Sequence, residues 1–291
     1  MTLLQTIIIA IVEGLTEFLP VSSTGHMLIA ENLLGVQNSA FVRAFTIIIQ
    51  FGAILSVVVL YWNRFFRLDH TPAPVGSTPW QKIKHKWYFY WVLLVAFVPT
   101  AVVGLVVKKS GMIDFMLNPS NAIWIVPVML VVGGVFMLFC DRIFNQGREE
   151  NKVTERRAFW IGLIQCFSMI PGTSRSMATI VGGMCQKLTR RRAAEFSFFL
   201  AVPTMAAATG LDVLELFVGK DAVGGSWATG HNLFLLAVGC VVAFIVALLA
   251  MKWFVDFLAK YGFKAFGIYR IVVGGIIILM LLTGHSLAMV D

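Results

Sequence analysis

The chain has 291 residues, 58% hydrophobic and 13% charged, and its mean hydropathy of +0.84 excludes a domain that stays dissolved in water. Lys and Arg exceed Asp and Glu by enough to give a net charge of +8. The basic residues cluster in loops between apolar stretches, which points to membrane orientation and away from a nucleic-acid partner.

The first apolar region, about 3–36, is long but broken in the middle by Pro, Ser and charged residues. It lacks a basic leader and carries Glu13 and Glu17 inside its apolar run, which argues against a cleaved signal peptide and for a place in the mature fold. Runs of roughly 20 apolar residues, the length a helix needs to cross the hydrocarbon core, then predict spans at about 44–62, 88–107 and 121–140. A second broken region at about 158–188 is followed by spans at about 194–218, 233–258 and 266–283. Cys140, Cys166, Cys185 and Cys240 stand singly in apolar segments and read as packing residues.

If each broken region enters and leaves on one side, the basic residues segregate. One side receives those at 64–86 (Arg67 among them), 142–157, 187–192 and 252–264. The other receives only Arg43, Lys108, Lys109 and Lys220. The basic side is then cytoplasmic and both termini lie outside. Full crossings by the broken regions would spoil this pattern, so they are expected to be re-entrant.

A shift of 151 places Pro20 on Pro171, Ser23 on Ser174 and Phe45-Thr46 on Phe196-Ser197, and Glu13 and Gln165 each precede the proline by six or seven positions. Val131-Val132-Gly133-Gly134 echoes Val272-Val273-Gly274-Gly275. The expected fold is therefore one all-α integral membrane domain over 1–291. It has about six transmembrane helices and two re-entrant broken-helix segments, in an inverted-topology repeat of 1–145 and 158–291. Such repeats bring their broken helices together near the bilayer midplane, where free backbone must line a cavity.

The first break places Glu13 and Glu17 four residues apart on one helix face. In a low dielectric such a pair holds a proton or a cation between its carboxyls, as a proton-transfer pair or a hard-metal site does. Ser22, Ser23 and Thr24 supply hydroxyls that either cap the next helix or meet phosphate. His26 is either a satisfied interior histidine or a proton carrier. In the second break Arg175 needs an anion. With Ser174, Ser176, Thr179 and a half-helix N-terminus it describes a phosphate cradle. A structural Arg175–Glu17 salt bridge is the competing use, and it leaves the hydroxyls idle. Arg190 to Arg192 read as an inside anchor with Glu195 as ion partner or helix cap, Arg270 as an anchoring or snorkelling side chain, and Asp212 and Glu215 as lying near the outer end of their span.

EGLTEFLPVSSTGH at 13–26, PGTSRSMAT at 171–179 and AEFSFFLAVP at 194–203 resemble the bacterial undecaprenyl-diphosphate phosphatase family of the bacitracin-resistance type, across essentially the whole chain. The resemblance implies hydrolysis of undecaprenyl diphosphate to undecaprenyl phosphate in the bacterial cytoplasmic membrane, recycling the carrier lipid for peptidoglycan and other envelope polymers. It implies a glutamate pair at Glu13 and Glu17, a serine at Ser23, a histidine at His26, and a second motif at Ser174, Arg175, Ser176 and Thr179. The site is expected to open outward, to take a divalent cation (Mg2+ or Ca2+) at Glu13 and Glu17 if any, and to need no organic cofactor. Membrane lipids are the expected surroundings, and a homodimer is left open. Ser23 as nucleophile and a metal-activated water remain alternatives, and a polyprenyl-phosphate transporter is the rival function.

Overall fold

A computed structural model describes residues 1–37, 39–66, 71, 76–218 and 227–283. Arg67 and Lys220 of the basic tally lie outside these residues. The described chain is helical throughout: α1 Leu3–Thr16, α2 Ser23–Leu33, α3 Ala40–Leu60, α4 Trp62–Phe66, α5 Pro79–Lys86, α6 Tyr88–Lys109, α7 Met112–Leu117, α8 Pro119–Phe144, α9 Glu155–Gln165, α10 Arg175–Cys185, α11 Arg190–Val218, α12 Gly230–Tyr261 and α13 Lys264–Leu282. A 3-10 turn over Cys166–Met169 follows α9.

Six of these helices, α3, α6, α8, α11, α12 and α13, are long and apolar enough to cross a membrane, and they coincide with the six expected spans. α3, α8 and α12 start upstream of their apolar runs, where a polar residue caps each first turn. The Ser39 side chain accepts from the Val42 N–H before α3, and that of Thr229 from the Asn232 N–H before α12.

Small residues let the helix backbones approach, which is how apolar helices gain packing energy when lipid competes equally for their side chains. The two Val-Val-Gly-Gly stretches lie on α8 and α13, which pack directly against each other. A Cβ on Gly134 would meet the Gly267 carbonyl at 2.7 Å, and one on Gly133 would collide with the Arg270 guanidinium.

Each broken segment returns to the end from which it started. The Gln5 amide at the start of α1 donates to the Leu34 carbonyl just past α2, at 3.0 Å. Before α9, the Asn151 amide donates to the Lys187 carbonyl just past α10, at 2.7 Å. The two hairpins start from opposite ends of the bundle. Near the ends of the first, Val36 and Phe41 cluster with Leu216 and Trp227. Those of the second lie where the basic loops gather, cross-linked by Arg190–Asp141, Arg191–Asp256, Arg192–Glu149 and Lys84–Glu155 ion pairs. Arg191 also faces Glu195 at 3.8 Å, so Glu195 is the ion partner expected of it.

Candidate active site

Both breaks are built on one backbone device. α1 and α9 are each capped by a threonine, Thr2 and Thr154, and each second half-helix follows a serine in the left-handed region, Ser22 at φ 74° and Ser174 at φ 76°. A non-glycine residue held there costs about 1–2 kcal/mol, so the surroundings must hold it. The backbone register between the halves is thus 152 at the helix starts and at the two serines. The prolines keep a shift of 151 because the second break has one residue fewer before its proline and one more after it, where Gly172 stands at φ 90°. A Cβ at Gly172 would meet the Val126 carbonyl at 2.5 Å, and that close approach admits glycine alone.

Arg270 does the holding. It is fully buried, not snorkelling as its sequence position suggested, because carbonyl groups at bundle depth take up every one of its donors. Nη1 donates to the carbonyls of Pro20 (3.1 Å) and Thr173 (3.0 Å), and Nη2 to those of Gly172 (2.7 Å) and Met129 (3.0 Å). Nε donates to Leu130 at 3.3 Å. One guanidinium on α13 therefore pins both breaks to α8.

In front of this support the reactive groups meet. Glu17 closes α1, its N–H bonded to the Glu13 carbonyl at 3.0 Å. Its Oε2 accepts from Ser23 Oγ at 2.5 Å and its Oε1 from Arg175 Nη2 at 3.0 Å, joining the two halves of the chain. The Arg175–Glu17 bridge weighed as a competing use is therefore formed, and it is well shielded, with side-chain exposures of 14% and 9%. Arg175 also donates to the Ser197 carbonyl at 3.3 Å and lies over the Phe18 ring, while its Nε has no partner among the described residues. Glu13, one helical turn before Glu17, is buried, and its Oε1 has no hydrogen-bond partner among the described residues.

A cavity of about 640 Å³ opens here, with Glu17, Ser22, Ser23, Thr24, Ser174 and Arg175 in its wall. Both breaks line one pocket. Apolar side chains of α6 and α11, among them Phe97, Leu105 and Leu211, continue the wall towards Lys108, Asp212 and Glu215. Lys108 and Glu215 form an ion pair across the two helices. The two acidic residues expected at a span end thus form the mouth of the cavity.

Three expected site residues are turned elsewhere. Ser176 is buried and donates to the Leu19 carbonyl at 2.7 Å, fastening one break to the other. Thr179 is buried against the Arg175 and Ser176 carbonyls and the Ser197 hydroxyl. Neither lines the cavity, because each hydroxyl turns to backbone carbonyls and a neighbouring hydroxyl. His26 lies outward of the cavity: its Nδ1 bonds the Ser22 carbonyl at 2.8 Å and its Nε2 the Tyr269 hydroxyl at 2.7 Å. Since the carbonyl only accepts, Nδ1 carries the proton in the neutral ring. Gln165, the positional counterpart of Glu13, is tethered through Thr100 Oγ1 at 2.8 Å, which donates on to the Gly162 carbonyl.

The bacitracin resistance protein BacA family matches residues 6–276. An undecaprenyl-diphosphatase of Porphyromonas gingivalis is 52% identical over 289 residues, covering 99% of this chain and all of the relative. One from Bdellovibrio bacteriovorus is 45% identical with full coverage of both chains, and one from Aquifex aeolicus is 40% identical over 94% of this chain and 96% of its own. With six apolar helices, a charged pocket between two broken ones and similarity running from end to end, this chain is a multi-pass membrane protein that belongs to the bacitracin resistance protein BacA family.

Proposed function

We propose that the protein hydrolyses undecaprenyl diphosphate to undecaprenyl phosphate and inorganic phosphate, with the diphosphate in the cavity between the breaks and the polyprenyl chain along the apolar wall of α6 and α11. The observation that carries this reading is the Ser23–Glu17–Arg175 chain of hydrogen bonds: a hydroxyl, a base and a cation converge on one cavity wall. A carrier needs only the cation and the hydroxyl. The short bond from Ser23 to a carboxylate is what nucleophilic attack requires.

Ser23 Oγ attacks the terminal phosphorus as its proton passes to Glu17 Oε2. The bond from that phosphorus to the bridging oxygen breaks and undecaprenyl phosphate departs. Water then attacks the phosphoserine, its proton is taken up by the carboxyl pair, inorganic phosphate leaves, and Ser23 regains its hydrogen. Arg175, at the first turn of α10, stabilises the charge gathering on the phosphoryl oxygens. With no substrate bound, its charge is balanced by Glu17, and phosphate competes for the same guanidinium. His26, with both ring nitrogens engaged elsewhere, orients the turn around Ser22 and leaves proton transfer to Glu17 and Glu13.

The carboxyl pair also suits a hard divalent cation such as Mg2+ or Ca2+, because Glu13 carries a buried oxygen without a partner beside a second carboxylate. Glu13 and Glu17 would hold the ion, which when bound would neutralise charge on phosphate oxygens.

The basic end of the bundle is taken as cytoplasmic. The cavity mouth at Lys108, Asp212 and Glu215, and both termini, then face outward from the cytoplasmic membrane. The broken segments are re-entrant, in two inverted repeats of one membrane domain. The test is phosphate release from undecaprenyl diphosphate by purified protein, with and without divalent cation, for wild type and Arg175→Ala. Release by wild type that the folded variant has lost supports the phosphatase. No release by folded wild type under any cation condition would turn the reading to a lipid-phosphate carrier.

A further inference from the structure

A second cavity, of about 890 Å³, lies at the opposite ends of the same two helices. The site described above uses the C-terminal parts of α6 and α11, whereas this cavity uses their beginnings, Tyr88 to Val92 and Arg192 to Phe199. α6 has 22 residues, which at helical rise is roughly 30 Å, the thickness of a bilayer's hydrocarbon core. The two cavities therefore open towards opposite leaflets.

Four cations from separate elements converge on the second cavity: Arg64 of α4, Lys86 of α5, Lys152 ahead of α9 and Arg192 of α11. Among the described residues one carboxylate, Glu195, lines it with them, and it faces Arg191. Arg192 is engaged by Glu149 at 3.4 Å and by the Asn151 carbonyl at 2.8 Å. The side chains of Arg64, Lys86 and Lys152 have no ion pair or hydrogen bond among the described residues. Elsewhere on this end arginines are matched, Arg190 with Asp141 and Arg191 with Asp256. Three unmatched cations from separate elements thus face one hollow.

Apart from Asn63, the remaining wall is apolar and aromatic, with Phe89 and Phe199 in edge-to-face contact. Exposed aromatic rings stand beside the cations along the chain, Trp62 and Phe66 around Arg64 and Trp87 next to Lys86. Amphipathic rings of this kind mark the level of the lipid headgroups. Cations above an aromatic floor at that level match a phosphate carried on a hydrocarbon chain better than a free anion.

We propose that this cavity binds the phosphate headgroup of a membrane lipid from the leaflet opposite the one faced by the hydrolytic cavity. The site is separate from Glu17, Ser23 and Arg175 and does not depend on how they act.

The test is lipid retention by native mass spectrometry of the full-length protein taken from phosphatidylcholine nanodiscs. The nanodiscs contain either phosphatidylglycerol or undecaprenyl phosphate, and inorganic phosphate is the competitor in a parallel arm. Three proteins are compared: wild type, the triple variant Arg64→Gln/Lys86→Gln/Lys152→Gln, and a charge-matched control, Lys252→Gln/Lys260→Gln/Lys264→Gln, on the same end. All six positions are exposed, and phosphate release from undecaprenyl diphosphate verifies that each variant is folded. The expected result is at least tenfold weaker retention of a phosphate lipid in the cavity variant, with the control and the release activity within twofold of wild type. Whichever lipid wild type retains more tightly is the occupant. Equal weakening in the control would reduce the effect to general surface charge and overturn the proposal. So would unchanged retention in the cavity variant, or displacement of the lipid by millimolar inorganic phosphate.

Discussion

The two breaks share a backbone and divide the chemistry. In each, a threonine-capped helix ends a few residues before a proline, a serine then takes a left-handed conformation and an eleven-residue helix follows. At the register set by that backbone Glu13 faces Gln165 in the comparison, and Ser23 faces Arg175. The first break thus carries the carboxylates and the reactive hydroxyl, and the second carries an amide and the guanidinium. The two breaks make a heterogeneous site because they meet at one cavity and hold complementary groups. A cation and a carboxylate at equivalent depth also lower each other's cost of burial.

The largest effects are expected where the two breaks meet chemically. Glu17→Gln keeps the shape but removes the base, and kcat for phosphate release should fall about 10²–10⁴-fold, the usual scale of a positioned proton acceptor. Arg175→Ala should lower kcat by roughly 10²–10³, as loss of a preorganised charge does. Equal activity after either change would break the division of labour between the breaks.

Arg270→Met tests the shared support. It leaves carbonyls of both breaks and of α8 without donors, at about 1–3 kcal/mol for each group left unsatisfied. A large fall in thermal stability in detergent is therefore expected, and an unchanged midpoint would contradict the pinning role.

Ser176→Ala and Thr179→Val remove only hydrogen bonds to backbone and a neighbouring hydroxyl, so each should cost about 1 kcal/mol of stability while kcat stays within a few-fold. A collapse of kcat with stability intact would return these residues to the phosphate cradle. His26→Gln is expected to have the smallest effect on kcat, well below that of Glu17→Gln, measured by the same phosphate assay at saturating substrate.

Much of this was legible in the sequence. Apolar run length locates all six long helices, since span length is imposed by the bilayer. Charges inside apolar runs mark Glu13, Glu17 and Arg175, since burying them is costly without a use. What the sequence left open depends on direction. Ser176 and Thr179 share the motif of Arg175, yet motif membership does not say which way a hydroxyl turns, and both turn to backbone. The shift of 151 aligns Ser23 with Ser174, while the backbone pairs Ser22 with Ser174, because the proline of the second break stands one position earlier in its segment, with Gly172 after it. Arg270 lies at the start of a span, where a snorkelling arginine is ordinary. Only the glycines opposite it on α8, Gly133 and Gly134 within the repeated Val-Val-Gly-Gly, signalled that a large side chain is buried there.

The most direct test of the central claim, that Ser23 and the Glu17 carboxylate cleave the diphosphate in the cavity between the breaks, is the Ser23→Ala variant assayed for both phosphate release and substrate binding. The account predicts that release falls by about 10³-fold or more, as removal of an activated nucleophile does, while undecaprenyl diphosphate binds within a few-fold of wild type. Release near the wild-type rate from the folded variant would contradict it.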